Sequence, residues 1–477
     1  MYSTTPRRFL STILLAAILL AQSVSPASAQ SLDRAWSDIA ALSGPGFHGR
    51  QAGTEDDTRS AAYVGERFSA IGLAVESQSA PLVASVIDPH PRIAIHGAVS
   101  HDLAVGRDYL PLLDSPSVSL TAPIVFVGYG ISDPGAGFDE YAGQDVRGRV
   151  VLLLRGKPET YRPMVTHADK ERIAREHGAA ALVMITAPIV SGYDARRGLG
   201  PEPMAIYSQP PGITPLPGAW IRTSIAEQML VETGFAGGRS LRDIQQALDR
   251  LQPQSGETGL RAELHWNTTA STGSLVNVSA LLAGSDPALR DETVVIGAHR
   301  DHFGLQAGLL FAGADDNASG TAMLLEAARR LAAAPTPPRR SILFVSFSGE
   351  ERGLLGSRLY VMQPRRPLAR TVAMLNVDHA GIGNGRVTVG VTGLSQDRAR
   401  NAAGSAGVET LVDLFGFFPG GDHVPFKEAG VPTIAVVSGG AHAHFHRPTD
   451  LPETLQRAQF ETVLRYVTAL LWELANN

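Results

Sequence analysis

SILFVSFSGEERGLLGS, residues 341–357, sets the frame for the chain. Ser341 to Phe347 is an apolar run of strand length, as expected of a strand buried on both faces. A helix is expected to start from Gly353. Between the two, at the junction, stand Glu350 and Glu351. Two acids in the first turn of a helix are also what its macrodipole favours, so the pair alone does not establish chemistry. Successive residues leaving a strand point to opposite sides, so each glutamate is expected to face a different neighbour.

Outward from this stretch, from about Asn277, strand and helix patterns alternate. TVVIGAH, SILFVSFS, TVAMLNVD, RVTVGV and VPTIAVVS read as strands, and Gly320–Ala334 as a helix. In the last segment Phe460, Val463, Leu464, Val467, Leu470, Leu471 and Leu474 share one helical face, which is a core-packing pattern. Such alternation implies an α/β fold: a mostly parallel mixed sheet with helices on both faces. Ligands then bind beyond the C-terminal ends of the strands.

Upstream the texture differs. Residues 30–117 contain a helical segment near Asp57–Ile71 and are expected to form the N-terminal part of the main domain, which resumes over 253–477. Residues 118–252 read as a smaller α/β insert: APIVFVGYG and GRVVLLLRG as strands, ADKERIAREHGAAALVMIT as a helix followed by a strand, then a Pro/Gly-rich loop around 192–217 and a helix at Ser224–Gly234. The insert has no cluster of histidines and carboxylates, so it is read as a packing or recognition module.

Residues 1–29 have the order of an export signal. Arg7 and Arg8 precede the apolar run Ile13–Ala21, and Ala27-Ser28-Ala29 supplies small residues for cleavage. The apolar run is too short to span a bilayer comfortably. The expected location is therefore the periplasm or the exterior, with no membrane span after cleavage. The chain of 477 residues is 44% hydrophobic and 18% charged, enough to build a large core. Without the signal, 39 basic and 46 acidic residues leave a net charge of −7. No basic block stands out, which argues against a nucleic-acid partner. There is no cysteine, so any metal must sit on His, Asp and Glu.

Those residues collect at strand ends. GAHRD places His299 and Asp301 after one strand, SGEE places the glutamate pair after the next, and NVD ends on Asp378. Two loops add Asp315 and Asp316 in GADDNASG, and His442, His444 and His446 in HAHFHRPTD. Each has a plain alternative. Aspartates before a helix cap it, a strand-end histidine commonly makes a structural hydrogen bond, and Asp378 could cap a turn. Gathered at one edge of one sheet, however, these carboxylates would repel one another unless a cation held them. Imidazole and carboxylate without thiolate suit zinc, and two such ions side by side can activate water and polarise a carbonyl.

GAHRDHFG … GADDNASG … SGEERGLLGS … NVDHAG … FHRPTD resembles the di-zinc exopeptidases, the family of bacterial leucine aminopeptidases, glutamate carboxypeptidase and glutaminyl cyclase. The likeness covers about 277–477, with its elements in the family's order. The insert is similar to a protease-associated domain, and HGRQAGT (residues 48–54) to the segment with which the peptidase domain begins. The resemblance implies that His299 and Asp378 hold one zinc, that Glu351 and His446 hold the other, and that Asp316 bridges them. It implies that Asp301 fixes the tautomer of His299 and that Glu350 is the general base.

Two positions depart from the family pattern. Phe445 stands where a tyrosine is usual, removing a hydroxyl that could help stabilise the oxyanion, and Arg447 stands where a threonine is usual. GGDHVPFKEAGVP (420–432) resembles an element near the substrate pocket, with no role fixed for Asp422 or His423. The function implied is an exported aminopeptidase acting on peptides, with two Zn2+ per chain. A carboxypeptidase of the same family is the near alternative. A catalytically silent peptide-binding relative is disfavoured by retention of every ligand and of Glu350. Nothing in the residues indicates an oligomeric state.

Overall fold

The computed structural model describes residues 26–477. Of the expected export signal, residues 1–25 lie outside the described residues, and Pro26 opens helix α1 (Pro26–Leu42). No helix among the described residues is long and apolar enough to cross a membrane.

One eight-stranded sheet carries the residues singled out above. Its strands are β1 (Ala74–Ile87), β2 (Thr268–Leu282), β3 (Thr293–His299), β4 (Ser341–Phe347), β5 (Thr371–Asp378), β6 (Val387–Thr392), β7 (Val412–Phe415) and β8 (Thr433–Ser438), in the order β1-β2-β4-β3-β5-β8-β6-β7. The central strands β4, β3, β5 and β8 are mutually parallel. All seven residues of β3 and of β4 are buried, so neither strand alternates polar with apolar. Helices on both faces are the cause.

On one face Val294, Ile296, Phe344 and Leu375 pack in the cluster that includes residues of α1, α2 (Glu55–Ala70), α3 (Gly320–Ala332), α5 (Asp397–Ala406) and α7 (Arg457–Asn476). On the other, Val295, Leu343, Val345 and Met374 meet Tyr360 of α4 (Leu355–Met362) and Phe426 of α6 (His423–Glu428). The predicted α7 stripe, Phe460 to Leu474, is wholly buried. At about 25 cal/mol per Å² of apolar surface, each such leucine contributes roughly 2 kcal/mol before entropy is counted. Because the four central strands run the same way, their C-terminal ends open at one edge. That edge receives His299, the SGEE turn, Asp378 and the loop after Ser438.

A second eight-stranded sheet has the order 100–103, 92–96, 256–266, 118–126, 150–154, 181–185, 218–221, 109–111. It is wider than the 118–252 segment read from sequence texture. The reason lies in the first sheet: β1 and β2 pair antiparallel until Ile87 stands opposite Thr268, so the chain leaves and re-enters at adjacent points. Residues on both sides of 118 and 252 then pair into the second sheet.

Candidate metal centre

Asp316 stands at the middle of the strand-end cluster. Its Oδ1 lies 3.4 Å from His299 Nε2, and its Oδ2 lies 3.4 Å from His446 Nε2. His299 Nε2 is also 3.3 Å from Asp378 Oδ1, and His446 Nε2 is 3.3 Å from Glu351 Oε2. One carboxylate thus stands between two histidine–carboxylate pairs. The donor atoms of His299, Asp316 and Asp378 lie within 4.8 Å of one another, as do those of His302, Asp316 and Glu351.

Several buried groups hold this arrangement. Asp315 and Asp316 present their backbone N–H groups to Asp450, at 2.8 and 3.0 Å, which pins the loop before α3. Asp315 turns away from the centre, its Oδ1 accepting from the N–H groups of Gly381 and Ile382 and its Oδ2 standing 2.7 Å from His442 Nδ1. Arg50, from the HGRQAGT stretch, is fully buried behind the loops and donates to the carbonyls of Arg300, Ala312 and Gly313. Burial pulls it down to about 10 against the pull of Asp301, Asp450 and Asp316. It remains a cation at neutral pH, backing a cluster rich in carboxylates.

The expected partner of His299 is found in a different atom. His299 Nδ1 is 3.1 Å from the backbone carbonyl of Asp301 and 3.7 Å from its carboxylate, which is beyond hydrogen-bond range. The carboxylate instead accepts from the N–H of Glu350 at 3.2 Å, and so orders the SGEE turn. The glutamates themselves lie in that turn rather than on a strand, closed by the N–H groups of Gly353 and Leu354 on Glu350 O. The turn separates them: Glu351 meets His446 and, at 2.7 Å, His302 Nδ1, while Glu350 lines the adjoining cavity.

Charge in the cluster is unbalanced. Asp316 Oδ2 and Asp301 Oδ2 are buried with no hydrogen-bond partner among the described residues. Burial, with Asp422, Asp378 and Asp316 nearby, pushes Glu350 up to about 8 against the opposing pull of His299. Burial first, then Asp316 and Glu350, holds Glu351 well above the usual range. Orphaned carboxylate oxygens facing imidazole nitrogens make a donor set that fits a divalent cation, and zinc in particular.

Sequence reading found the seven residues His299, Asp301, Asp316, Glu350, Glu351, Asp378 and His446, and the fold brings all of them to this edge. It missed His302 and His379. His379 follows Asp378 directly, and its Nε2 lies 3.7 Å from Asp316 Oδ2. The pattern DH after a strand was the available signal. His444 meets Thr449 at 2.9 Å in an exposed contact, and no contact of its side chain with the cluster is seen. Asp422 is buried, with neither carboxylate oxygen hydrogen-bonded among the described residues.

A cavity of about 370 Å³ opens from Glu350, Glu351, Asp378 and His446. Its far wall is apolar and aromatic, with Phe415, Phe417, Phe418 and Val437, and Arg196 and Arg197 of the second sheet's unit reach its rim.

Comparison with known proteins agrees with this geometry. Residues 277–471 match peptidase family M28. The chain is 25% identical over 435 residues to aminopeptidase YwaD of Bacillus subtilis, covering 86% of this chain and 81% of that one. It is 31% identical over 202 residues to a probable leucine aminopeptidase of Arthroderma otae, covering 40% of this chain and 56% of that one. Among solved structures, a zinc aminopeptidase from Bacillus subtilis superposes with a TM-score of 0.65 at 23% identity, covering 94% of this chain and 95% of that one, a likeness of fold. Residues 277–471, which supply every histidine and carboxylate of the strand-end cluster, are a peptidase family M28 domain.

Proposed function

We propose that the chain is a zinc-dependent aminopeptidase holding two ions, exported by its N-terminal signal and acting on peptides that begin with a bulky apolar residue. His299, Asp316 and Asp378 would hold one zinc, and Asp316, Glu351 and His446 the other. The observation that carries this reading is Asp316, with one oxygen toward each histidine–carboxylate pair. Zinc in such a donor set supplies Lewis acidity, which makes water more acidic and a peptide carbonyl more electrophilic.

The chain's own residues do the rest. Glu350 takes a proton from water as the water oxygen bonds to the carbonyl carbon. It then gives that proton to the amine nitrogen as the C–N bond breaks. Burial and the neighbouring carboxylates raise the proton affinity of Glu350 above that of a free carboxylate, which suits a group that takes a proton and then passes it on. Phe415, Phe417 and Phe418 offer an apolar wall to the substrate's side chain. The insert, similar to a protease-associated domain, adds Arg196 and Arg197 to the lining.

Arg196 and Arg197 favour a second reading, since cations at the rim suit a substrate carboxylate, as a carboxypeptidase requires. Leucine and phenylalanine p-nitroanilides against N-acylated dipeptides separate the two. Cleavage of the free-amine substrates and not of the acylated ones is expected. The reverse preference would establish the carboxypeptidase reading.

A further inference from the structure

The two departures that flank His446 point the same way. Phe445 is buried in a cluster made otherwise of the second sheet's unit, including Leu199, Met204 and Trp220. Arg447 reaches the same unit, its Nη2 lying 3.2 Å from the carbonyl of Gly198 and 3.3 Å from Glu202 Oε2. Between them, His446 is held twice by one residue: its Nδ1 is 3.0 Å from Ala205 O, and its own carbonyl accepts from Ala205 N–H at 2.9 Å.

The fit at this junction is close. Gly198 has φ +78°, and a Cβ there would stand 1.8 Å from the carbonyl of His442. A side chain at that point would drive the two loops apart. With Nδ1–H given to Ala205 O, the lone pair of Nε2 faces Asp316 and Glu351. Groups that fix the unused nitrogen of a ligating histidine typically matter 10–100-fold for metal affinity.

We propose that residues 198–205 are a strap that sets the tautomer and position of His446, locked by Arg447, so that the second metal site is complete only with the insert docked. This rests on the two-ion reading above. It makes the insert, which contributes no ligand side chain, a positioning element of the centre. An insert read only as a recognition module could be removed with little loss on small substrates; a strap could not.

The test measures zinc dissociation constants by chelator competition on the full chain, for the wild type and for Arg447→Thr, Glu202→Gln and Arg447→Lys. Arg447→Thr is expected to weaken one of two ions about 10–100-fold while the other keeps its affinity. Glu202→Gln should give a smaller shift in the same ion, and Arg447→Lys should restore part of the loss. Because Glu202 is part exposed, its variant keeps the test open even where Arg447→Thr folds poorly. Two ions held with wild-type affinity in both Arg447→Thr and Glu202→Gln would overturn the strap, and so would equal loss of both ions, which marks a general structural effect. A wild type that binds a single ion would overturn the two-ion reading, and the strap with it.

Discussion

Two sites in the molecule bury charge in opposite ways. In the second sheet's unit, Glu140 is fully buried, and its two oxygens accept from the N–H groups of Tyr129 and Ile131, each at 2.9 Å. The glycine before Tyr129 is required there, because a Cβ at Gly128 would meet Glu140 Oε1 at 1.8 Å. Lys170, also buried, donates to the carbonyls of Tyr129 and Leu154. Around the M28 sheet's open edge, Asp316, Asp301 and Asp422 are as deeply buried, yet carboxylate oxygens of all three lack partners among the described residues. Buried polar atoms are nearly always satisfied. Charge that is satisfied holds a turn in shape, and charge left over marks where a cation belongs.

Chelation should strain this contrast most. It is expected to abolish turnover while circular dichroism keeps most of the secondary structure, since the ligands sit at the sheet edge and the core does not depend on them. Global unfolding on chelation at room temperature would erase the distinction between the two kinds of buried charge.

Lys170→Met tests the other side. The substitution leaves the buried carbonyls of Tyr129 and Leu154 without their donor, and an unsatisfied buried group typically costs about 1–3 kcal/mol. Urea unfolding should show a loss of that order, with zinc content unchanged in the folded protein. A variant as stable as the wild type would mean that Lys170 does not hold this part of the second sheet's unit.

The smallest expected effect is in pH. Without an ion, Glu350 is held up to about 8 by burial and neighbouring carboxylates. His379 is pushed up to about 10 by Asp316, Asp378 and Asp315 against the effect of burial. At pH 7 the site therefore carries protons that an incoming cation must displace. Zinc affinity should rise as pH rises from 7 toward 8, because the site then gives up fewer protons to the cation. Calorimetry in buffers of different ionisation enthalpy should show protons released at pH 7. Uptake of protons, or none exchanged, would contradict the direction.

The sequence was most legible where strands are parallel and central. Such strands are uninterrupted apolar runs, so the residue at which each run stops, His299, the SGEE turn or Asp378, stands out by contrast. Residues that act across loops carry no such mark. Asp450 and Arg50 hold the centre through backbone groups far away in sequence, and Asp301 serves His299 through its carbonyl, which any residue possesses. The width of the second sheet was hidden for a related reason. Strands 92–96 and 256–266 are partners separated by more than 150 residues, and only the pairing of β1 with β2 brings them together. Phe445 reads in sequence as a lost hydroxyl and Arg447 as a departure without a role, because both face the insert, whose contacts do not show in the sequence.

The most direct test of the centre is metal analysis alongside kinetics for Glu350→Gln and Glu351→Gln. With Glu350 as base and Glu351 as ligand, Glu350→Gln should keep two zinc ions per chain while kcat falls about 10²–10⁴-fold. Glu351→Gln should lose one ion before its fully loaded rate suffers. If Glu350→Gln sheds zinc and Glu351→Gln keeps it, the roles are reversed. If neither change slows hydrolysis, the glutamate pair only caps its turn, and the account of this centre is wrong.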